Sequence, residues 1–310
     1  ETPKESNSLV SLIIMSSSET SEIKGSLLLA WQVKDKHCLV IGAGDVALSR
    51  IHHLIKAQAK ITVVTGASKI HPQIIELNNQ GKLYNFFQRD YQSNDLTIYE
   101  NINSRINDLD LINSENYNLI DQQVYQEMFA VVCCCIDDYE LSTKIYYQCK
   151  YLRIPVNIAD KPPLCDFYFG SMINQDNLQI MISTNGKSPR LSRMIKDNIS
   201  KEFENVNLNQ AVENLGLIRS RLREMILIDD DLNTIDTRMT WIKNLTDFFT
   251  LKQWSEINLI PPSSTPPYDN RFQYVDNIIN YFPDYPPKDY EEFKDAIVFT
   301  HGDWTIQRAR

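Results

Sequence analysis

Short apolar runs alternate with amphipathic stretches in the first half of the chain. Four runs are almost uninterrupted: Cys38–Ile41, Ile61–Val64, Met128–Ile136 and Ile154–Ala159. Such runs are typical of strands that are buried on both faces of a parallel sheet. Helical spacing of apolar residues separates the strands, so the pattern predicts an α/β fold with a Rossmann-like parallel sheet.

The pattern changes after this sheet. Asp166–Ile173 and Asn177–Thr184 are apolar stretches around a polar turn, which predicts an antiparallel hairpin and a dimerisation element. Ser188 as N-cap, with a proline after it, starts a helix predicted to end near Phe203. Four apolar side chains of this helix are expected to face inward: Leu191, Met194, Ile195 and Ile199.

Five parts follow from these patterns. They are a disordered leader (1–25), a Rossmann-like domain (26–160), a dimerisation region (161–204), a helical C-terminal domain (205–260) and a Pro-rich linker with a tail of unknown role (261–310). The C-terminal helices are expected over 208–227 and 236–251. Residues 67–128 are irregular, with a strand near Leu83–Phe87 and then an insertion of low order or a short helix.

Composition narrows the classes of function. The net charge of −9 argues against nonspecific nucleic-acid binding. The sequence contains no run of 18 apolar residues, so no membrane span is predicted. None of the six cysteines forms a CxxC pair, and three are consecutive, where neighbours on a strand point to opposite faces. We therefore expect buried thiols in a reducing compartment, the cytoplasm, and no protein metal site; a metal or disulfide site at these cysteines is the alternative.

A glycine motif follows the first strand. Gly42 suits a tight turn, Gly44 lets the backbone approach a pyrophosphate, and the helix that begins with Asp45 and Val46 offers N–H groups to phosphates. A turn with only a packing role is the alternative. At the end of the second strand, Thr65 and Gly66 stand where a ribose-binding acidic residue is usual, which leaves NAD and NADP both open.

Asp160 ends the last strand of the predicted sheet. Ligands of parallel sheets bind beyond the carboxyl ends of the strands, so Asp160 is expected to share a crevice with the glycine turn, as a catalytic acid or base. A turn aspartate that caps Lys161-Pro-Pro is the alternative. Further along, Arg190, Arg193 and Lys196 at a helix start suggest an anionic ligand or, alternatively, a solvated face.

Four motifs together carry a family resemblance: Leu39–Ala47, Val156–Pro162, Leu164–Gly170 and Ile182–Arg190. In that order they resemble the fungal bifunctional precorrin-2 dehydrogenases and sirohydrochlorin ferrochelatases of the sirohaem synthase family. The resemblance covers roughly residues 27 to 255.

The resemblance implies NAD-dependent oxidation of precorrin-2 to sirohydrochlorin and then Fe²⁺ insertion. It also implies a homodimer and the use of Asp160 as general base in both reactions. Residues in the matching motifs become candidates for substrate binding: Asn157, Thr184, Ser188 and Arg190. The histidine that fungal relatives carry in the C-terminal part has no counterpart near Trp254. A dehydrogenase without chelatase activity and a non-catalytic nucleotide-sensing dimer stay open.

Overall fold

The structure, a computed structural model, describes residues 25–101, 109–226, 232–260 and 272–298. The chain divides into two compact units, residues 1–32 and 33–310. Of the first unit, residues 25–32 are described; they are exposed and have no regular secondary structure. Most of the predicted leader and the predicted Pro-rich linker therefore lie outside the described residues.

A five-stranded parallel sheet forms the centre of the second unit, in the strand order β3-β2-β1-β4-β5. The strands are β1 (His37–Ile41), β2 (Lys60–Val64), β3 (Asn85–Phe87), β4 (Phe129–Cys134) and β5 (Val156–Ile158). The helices between them are α1 (Asp45–Lys56), α2 (Pro72–Asn79), the short α3 (Tyr117–Gln122) and α4 (Tyr139–Leu152). This architecture confirms the predicted Rossmann-like parallel sheet.

Both faces of the sheet are covered, which explains the uninterrupted apolar runs. Cys38, Val40 and Cys133 pack on one face, in a core that includes the buried residues of α1. Leu39 and Cys134 pack on the other face, in a core that includes buried residues of α4. The consecutive cysteines of β4 thus alternate between faces, as expected for a strand, and all six cysteines of the chain are free thiols.

A buried histidine lies at the start of β1. The His37 ring is fully buried and contacts Tyr84, Tyr99 and Phe129, with ring centroids 4.5 Å from Tyr99 and 4.7 Å from Tyr84. Neither ring nitrogen has a hydrogen-bond partner among the described residues. Burial and, secondarily, the charge of Lys60 lower the pKa of His37 from 6.5 to about 4.

We expect this histidine to make the protein sensitive to acid. Its pKa is lower in the folded chain, so the unfolded chain binds the extra proton, and stability falls as the pH drops from 6.5 towards 4. A shift of this size corresponds to about 3 kcal/mol. Between pH 7 and pH 4, the free energy of unfolding of His37→Phe, measured with urea, should fall by about 3 kcal/mol less than that of the wild-type protein. An identical pH dependence in both proteins would contradict the assignment.

The hairpin is shorter than the sequence pattern indicated. It consists of β6 (Ser171–Gln175) and β7 (Leu178–Ile182), which pair as a separate antiparallel sheet. The first strand was predicted from Asp166, but it begins only at Ser171. The reason is that the Asp166 carboxylate binds Lys150 Nζ at 2.6 Å and accepts the Val156 N–H at 3.1 Å, so this residue is tied to α4 and β5.

Helix α5 (Pro189–Glu202) follows the hairpin and corrects another prediction. Ser192 is its buried residue and its hydroxyl lies 3.0 Å from that of Ser171 on β6. Leu191, Met194 and Ile195, predicted to face inward, are exposed by 48%, 50% and 38%. Ile199, the fourth residue predicted to face inward, is half-buried, so the apolar face of the helix is only partly covered within one chain.

The C-terminal third is helical and continues beyond the predicted tail boundary. Its helices are α6 (Leu208–Met225), α7 (Leu232–Thr246), α8 (Leu251–Glu256), α9 (Gln273–Ile279) and α10 (Tyr290–Val298). The helix predicted over 236–251 is thus divided between α7 and α8. All belong to one helical region in which Trp241, Trp254 and Phe293 share a core. Within the described residues, no helix has the length and apolar character needed to cross a membrane.

Candidate functional site

The turn between β1 and α1 is the first part of the site. Gly42 has a φ of +110°, a conformation that favours glycine, and its N–H donates to the Val64 carbonyl at 2.9 Å. A Cβ at this position would overlap the carbonyl oxygen of Cys135 and lie 2.9 Å from its carbon. At this turn β1 therefore approaches the end of β4 closely, and a side chain at position 42 would prevent that approach.

Gly44, Asp45 and Val46 form the exposed start of α1. Gly44 is the N-cap in an extended conformation, and Asp45 is the first residue of the twelve-residue helix. The first N–H groups of a helix lack partners within the helix and carry a positive partial charge. This exposed helix start at the carboxyl edge of the sheet suits the pyrophosphate of a dinucleotide.

His71, which the sequence did not single out, supports the glycine turn from the side. Its N–H donates to the Ala43 carbonyl at 2.9 Å. Its Nδ1 accepts from the Gln73 N–H at 3.2 Å, so the ring proton is assigned to Nε2, which lies 3.4 Å from an Asp45 carboxylate oxygen. The segment after β2 is thus attached to the glycine turn at two points.

The end of β2 has an arrangement that the sequence did not predict. Thr65 is buried and its Oγ1 accepts the Ala67 N–H at 3.2 Å, so the hydroxyl stabilises a turn. Gly66 is exposed, and a Cβ there would overlap the carboxylate of Asp90, which follows β3. A carboxylate therefore does lie at the end of β2, although it comes from the neighbouring connection.

Asp160 lies at the same edge of the sheet, beyond β5. It is exposed, and its φ of +57° is left-handed, a conformation that aspartate tolerates better than most residues. The preceding residue, Ala159, donates its N–H to the Cys134 carbonyl at 2.8 Å, which fixes this end of β5 beside β4. The carboxylate makes no hydrogen bond or ion pair with a described residue, so it does not cap the Lys161-Pro-Pro turn.

Cys135 connects Asp160 with the glycine turn. Its carbonyl lies against Gly42. Burial, as the main cause, raises the pKa of its thiol to about 12, with Arg50 lowering it and Asp160 among the charges that raise it further. Both the glycine turn and Asp160 are therefore close to this one residue, as the strand ends predicted.

Arg50 is a further residue near the site that the sequence did not identify. It extends from α1, and its guanidinium lies 4.1 Å from the ring centre of Phe169. The charge of Arg50 lowers the pKa of Cys165 as well as that of Cys135, although burial raises both. Its Nε has no hydrogen-bond partner among the described residues. A cation is thus present near Cys135, the residue that links the glycine turn with Asp160.

Lys161 attaches the turn after Asp160 to the start of α4. Its Nζ donates to Ser142 Oγ at 3.0 Å and to the Asp138 carbonyl at 3.4 Å, and it lies 5.4 Å from the centre of the Tyr139 ring. Ser142 is fully buried, so this anchor is built into the helix. The backbone that carries Asp160 is therefore held on both sides.

The remaining candidates from the sequence have structural contacts. Asn157 is buried in β5 and its amide donates to the Phe167 carbonyl at 2.9 Å. Thr184 Oγ1 accepts the Ser188 N–H at 3.2 Å, and Ser188 Oγ accepts the Leu191 N–H at 3.4 Å as the N-cap of α5. Arg190 is exposed in the first turn of that helix. No described hydrogen bond joins Thr184, Ser188 or Arg190 to Asp160.

Family models match three successive parts of the chain. A family model for NAD(P)-binding domains matches residues 29–171. Models for the central and C-terminal parts of sirohaem biosynthesis proteins match residues 175–202 and 205–259. The parallel sheet and the matching family model thus define an NAD(P)-binding protein of the Rossmann-like class.

Curated relatives identify the family. The chain is 36% identical over 254 residues to a siroheme biosynthesis protein of Saccharomyces cerevisiae, covering 76% of this chain and 87% of the relative. It is 32% identical over 267 residues to a siroheme biosynthesis protein of Schizosaccharomyces pombe, covering 82% and 88%. The chain belongs to this family of sirohaem biosynthesis proteins, which confirms the resemblance stated from its motifs. A solved structure titled SirC, precorrin-2 dehydrogenase, matches at a TM-score of 0.45 and 19% identity, over 73% of this chain and 94% of that one.

Proposed function

We propose that the protein oxidises precorrin-2 to sirohydrochlorin with NAD⁺ and then inserts Fe²⁺ to give sirohaem. The observation that carries the proposal is the position of Asp160, an exposed carboxylate without a described partner, at the same sheet edge as the glycine turn. Family membership supports the macrocyclic substrate. NAD, when bound, supplies the hydride acceptor, and the exposed start of α1 would hold its pyrophosphate.

Asp160 has the same task in both reactions of this proposal. Oxidation removes a hydride and a proton from the macrocycle, and a carboxylate at the crevice accepts the proton. Fe²⁺ insertion releases two pyrrole protons, which the same carboxylate accepts in turn. Because Asp160 is exposed, it returns each proton to solvent. The macrocycle supplies the nitrogen ligands of the iron, so the reaction requires no ligand set from the protein.

Cations near the site would bind the carboxylates of the macrocycle. Arg50 lies near Cys135, and Arg190 is exposed at the start of α5. On α6, Arg221 Nε instead lies 2.8 Å from an Asp276 carboxylate oxygen, and this ion pair attaches α9 to α6. We therefore assign substrate binding to Arg50 and Arg190 in preference to Arg221, with Thr184 and Ser188 shaping the helix start that carries Arg190.

A homodimer through α5 and the hairpin belongs to the same proposal. Three exposed apolar side chains, Leu191, Met194 and Ile195, lie on one face of α5. A second copy of the chain would cover this face. We also propose the predicted division of the chain, with dinucleotide binding in 26–160 and dimerisation in 161–204, and a cytosolic location that suits its six free thiols.

The dimer predicts a specific loss on mutation. Met194→Glu should convert a dimer to a monomer in light scattering coupled to size-exclusion chromatography, because the charge would be buried at the interface. Ile75→Glu is the matched control, since Ile75 is exposed by 45% on α2, outside the proposed interface. A wild-type monomer, or a Met194→Glu dimer of unchanged stability, would contradict the proposal.

Incubation of the protein with precorrin-2, NAD⁺ and Fe²⁺ tests the function. We expect NADH formation followed by the absorbance of sirohaem. Accumulation of sirohydrochlorin would remove the chelatase activity and leave the second candidate, a dehydrogenase alone. Dinucleotide binding without turnover would leave a nucleotide-sensing dimer. Omission of NAD⁺ is the control, because it should stop the reaction at precorrin-2.

A further inference from the structure

Asp90 lies beside the end of β2, where the sequence has no acidic residue to bind a ribose. The usual acidic residue at the end of β2 is replaced by Thr65 and Gly66; Thr65 is buried and its hydroxyl oxygen accepts the Ala67 N–H. The Asp90 carboxylate occupies the space beside Gly66 that a Cβ would fill. The Thr65 N–H donates to the Phe87 carbonyl at 3.0 Å, which fixes the connection after β3 beside the end of β2. The glycine thus makes room for a carboxylate from the next strand.

No residue that the structure describes forms an ion pair with the Asp90 carboxylate. Arg89 is adjacent in the chain, but its guanidinium makes a two-point contact with the buried Asp95, at 2.6 Å and 2.8 Å. Asp95 also accepts the Gln92 N–H at 2.8 Å, so this pair is fixed in the connection after β3. Asp90 itself is exposed, and no hydrogen bond or ion pair joins its side chain to a described residue.

We propose that Asp90 determines the dinucleotide specificity of the protein, by accepting a hydrogen bond from the adenosine ribose of NAD and repelling the 2′-phosphate of NADP. The inference rests on the proposed function, because it concerns the cofactor of that site. A carboxylate accepts a hydrogen bond from a ribose hydroxyl, whereas it repels the negative charge of a phosphate. Gly66, at the end of β2, has no side chain, so the carboxylate that distinguishes the two dinucleotides comes from the connection after β3.

Asp45 provides an internal comparison. Its carboxylate is 96% exposed at the first residue of α1, near the expected pyrophosphate. Both dinucleotides carry the same pyrophosphate, so the charge of Asp45 affects their binding equally. The position of Asp90 beside the end of β2, where the ribose is usually held, makes its effect specific to the 2′ position.

Calorimetric titration with NAD⁺ and NADP⁺, in the absence of macrocycle, tests this inference. At low salt the wild-type protein should bind NAD⁺ about tenfold or more tightly than NADP⁺, a difference of about 1.4 kcal/mol or more. Asp90→Asn should reduce the ratio to about threefold or less, chiefly through tighter NADP⁺ binding. Asp45→Asn should change both affinities by the same factor. Asp121→Asn, an exposed residue on α3, should leave both unchanged.

Salt gives an independent readout. Raising the ionic strength from about 0.01 M to about 0.15 M should lower the wild-type ratio, because screening weakens the repulsion, and should leave the Asp90→Asn ratio constant. Equal wild-type affinities, or an unchanged ratio in folded Asp90→Asn, would overturn the role of Asp90 while leaving the proposed function intact. Failure of the wild-type protein to bind either dinucleotide would overturn both.

Discussion

Asp160→Asn is expected to reduce NADH formation from precorrin-2 by about 10² to 10⁴-fold, the range typical of a lost general base. Asparagine retains the size and the left-handed conformation of the residue but cannot accept the proton. The affinity for NAD⁺ should change by less than about twofold, because the proposal assigns this carboxylate to the macrocycle and the binding of the pyrophosphate to the start of α1. NADH absorbance under saturating substrate and calorimetric titration of NAD⁺ measure the two quantities.

Asp176→Asn is the matched control for this prediction. Asp176 is also an exposed aspartate with a left-handed backbone, at φ +52°, but it lies in the β6–β7 turn. The control should retain the wild-type rate of NADH formation. A wild-type rate in Asp160→Asn would reject the base assignment and leave Asp160 as a turn residue.

Gly42→Ala is expected to have the second large effect, on both folding and binding. The left-handed φ of +110° and the overlap with the Cys135 carbonyl both oppose a Cβ. The backbone strain alone costs about 1–3 kcal/mol. Displacement of the turn should also abolish measurable NAD⁺ binding. Urea unfolding and calorimetric titration of the same preparation would measure both losses.

Gly44→Ala separates the two effects of a glycine substitution. Gly44 has a φ of −89°, and no atom lies within 4 Å of a Cβ placed there. Its variant should therefore keep wild-type stability and lose NAD⁺ affinity, because the added methyl group stands where the pyrophosphate approaches the backbone. If Gly42→Ala binds NAD⁺ normally, the turn has only a packing role.

The sequence predicted those features that depend on local patterns. Buried parallel strands leave uninterrupted apolar runs, and a glycine turn after the first of them is visible without any knowledge of contacts. Asp160 was recognisable as a carboxylate at a strand end for the same reason. The position of Asp160 near the glycine turn followed from the predicted parallel arrangement of the strands, since their carboxyl ends share one edge.

The features that the sequence did not predict depend on contacts between distant segments. Asp90 is separated from Gly66 by a complete crossover, so spacing gives no sign of their contact. The exposure of Leu191 could not be read from its spacing, although its helical face was evident. The aromatic residues around Phe293 lack a simple period, and only the core shared with α6 and α8 reveals their role.

The central claim is that Asp160 is the general base in both reactions. Supplying the intermediate, sirohydrochlorin, directly to the protein tests this claim. Asp160→Asn is given sirohydrochlorin and Fe²⁺ without NAD⁺ in anaerobic buffer, and sirohaem absorbance is followed against wild-type protein and Asp176→Asn. The account predicts a loss of about 10²-fold or more in the rate of iron insertion, alongside the loss of NADH formation. Wild-type iron insertion by a variant that no longer forms NADH would contradict it and assign chelation to another group.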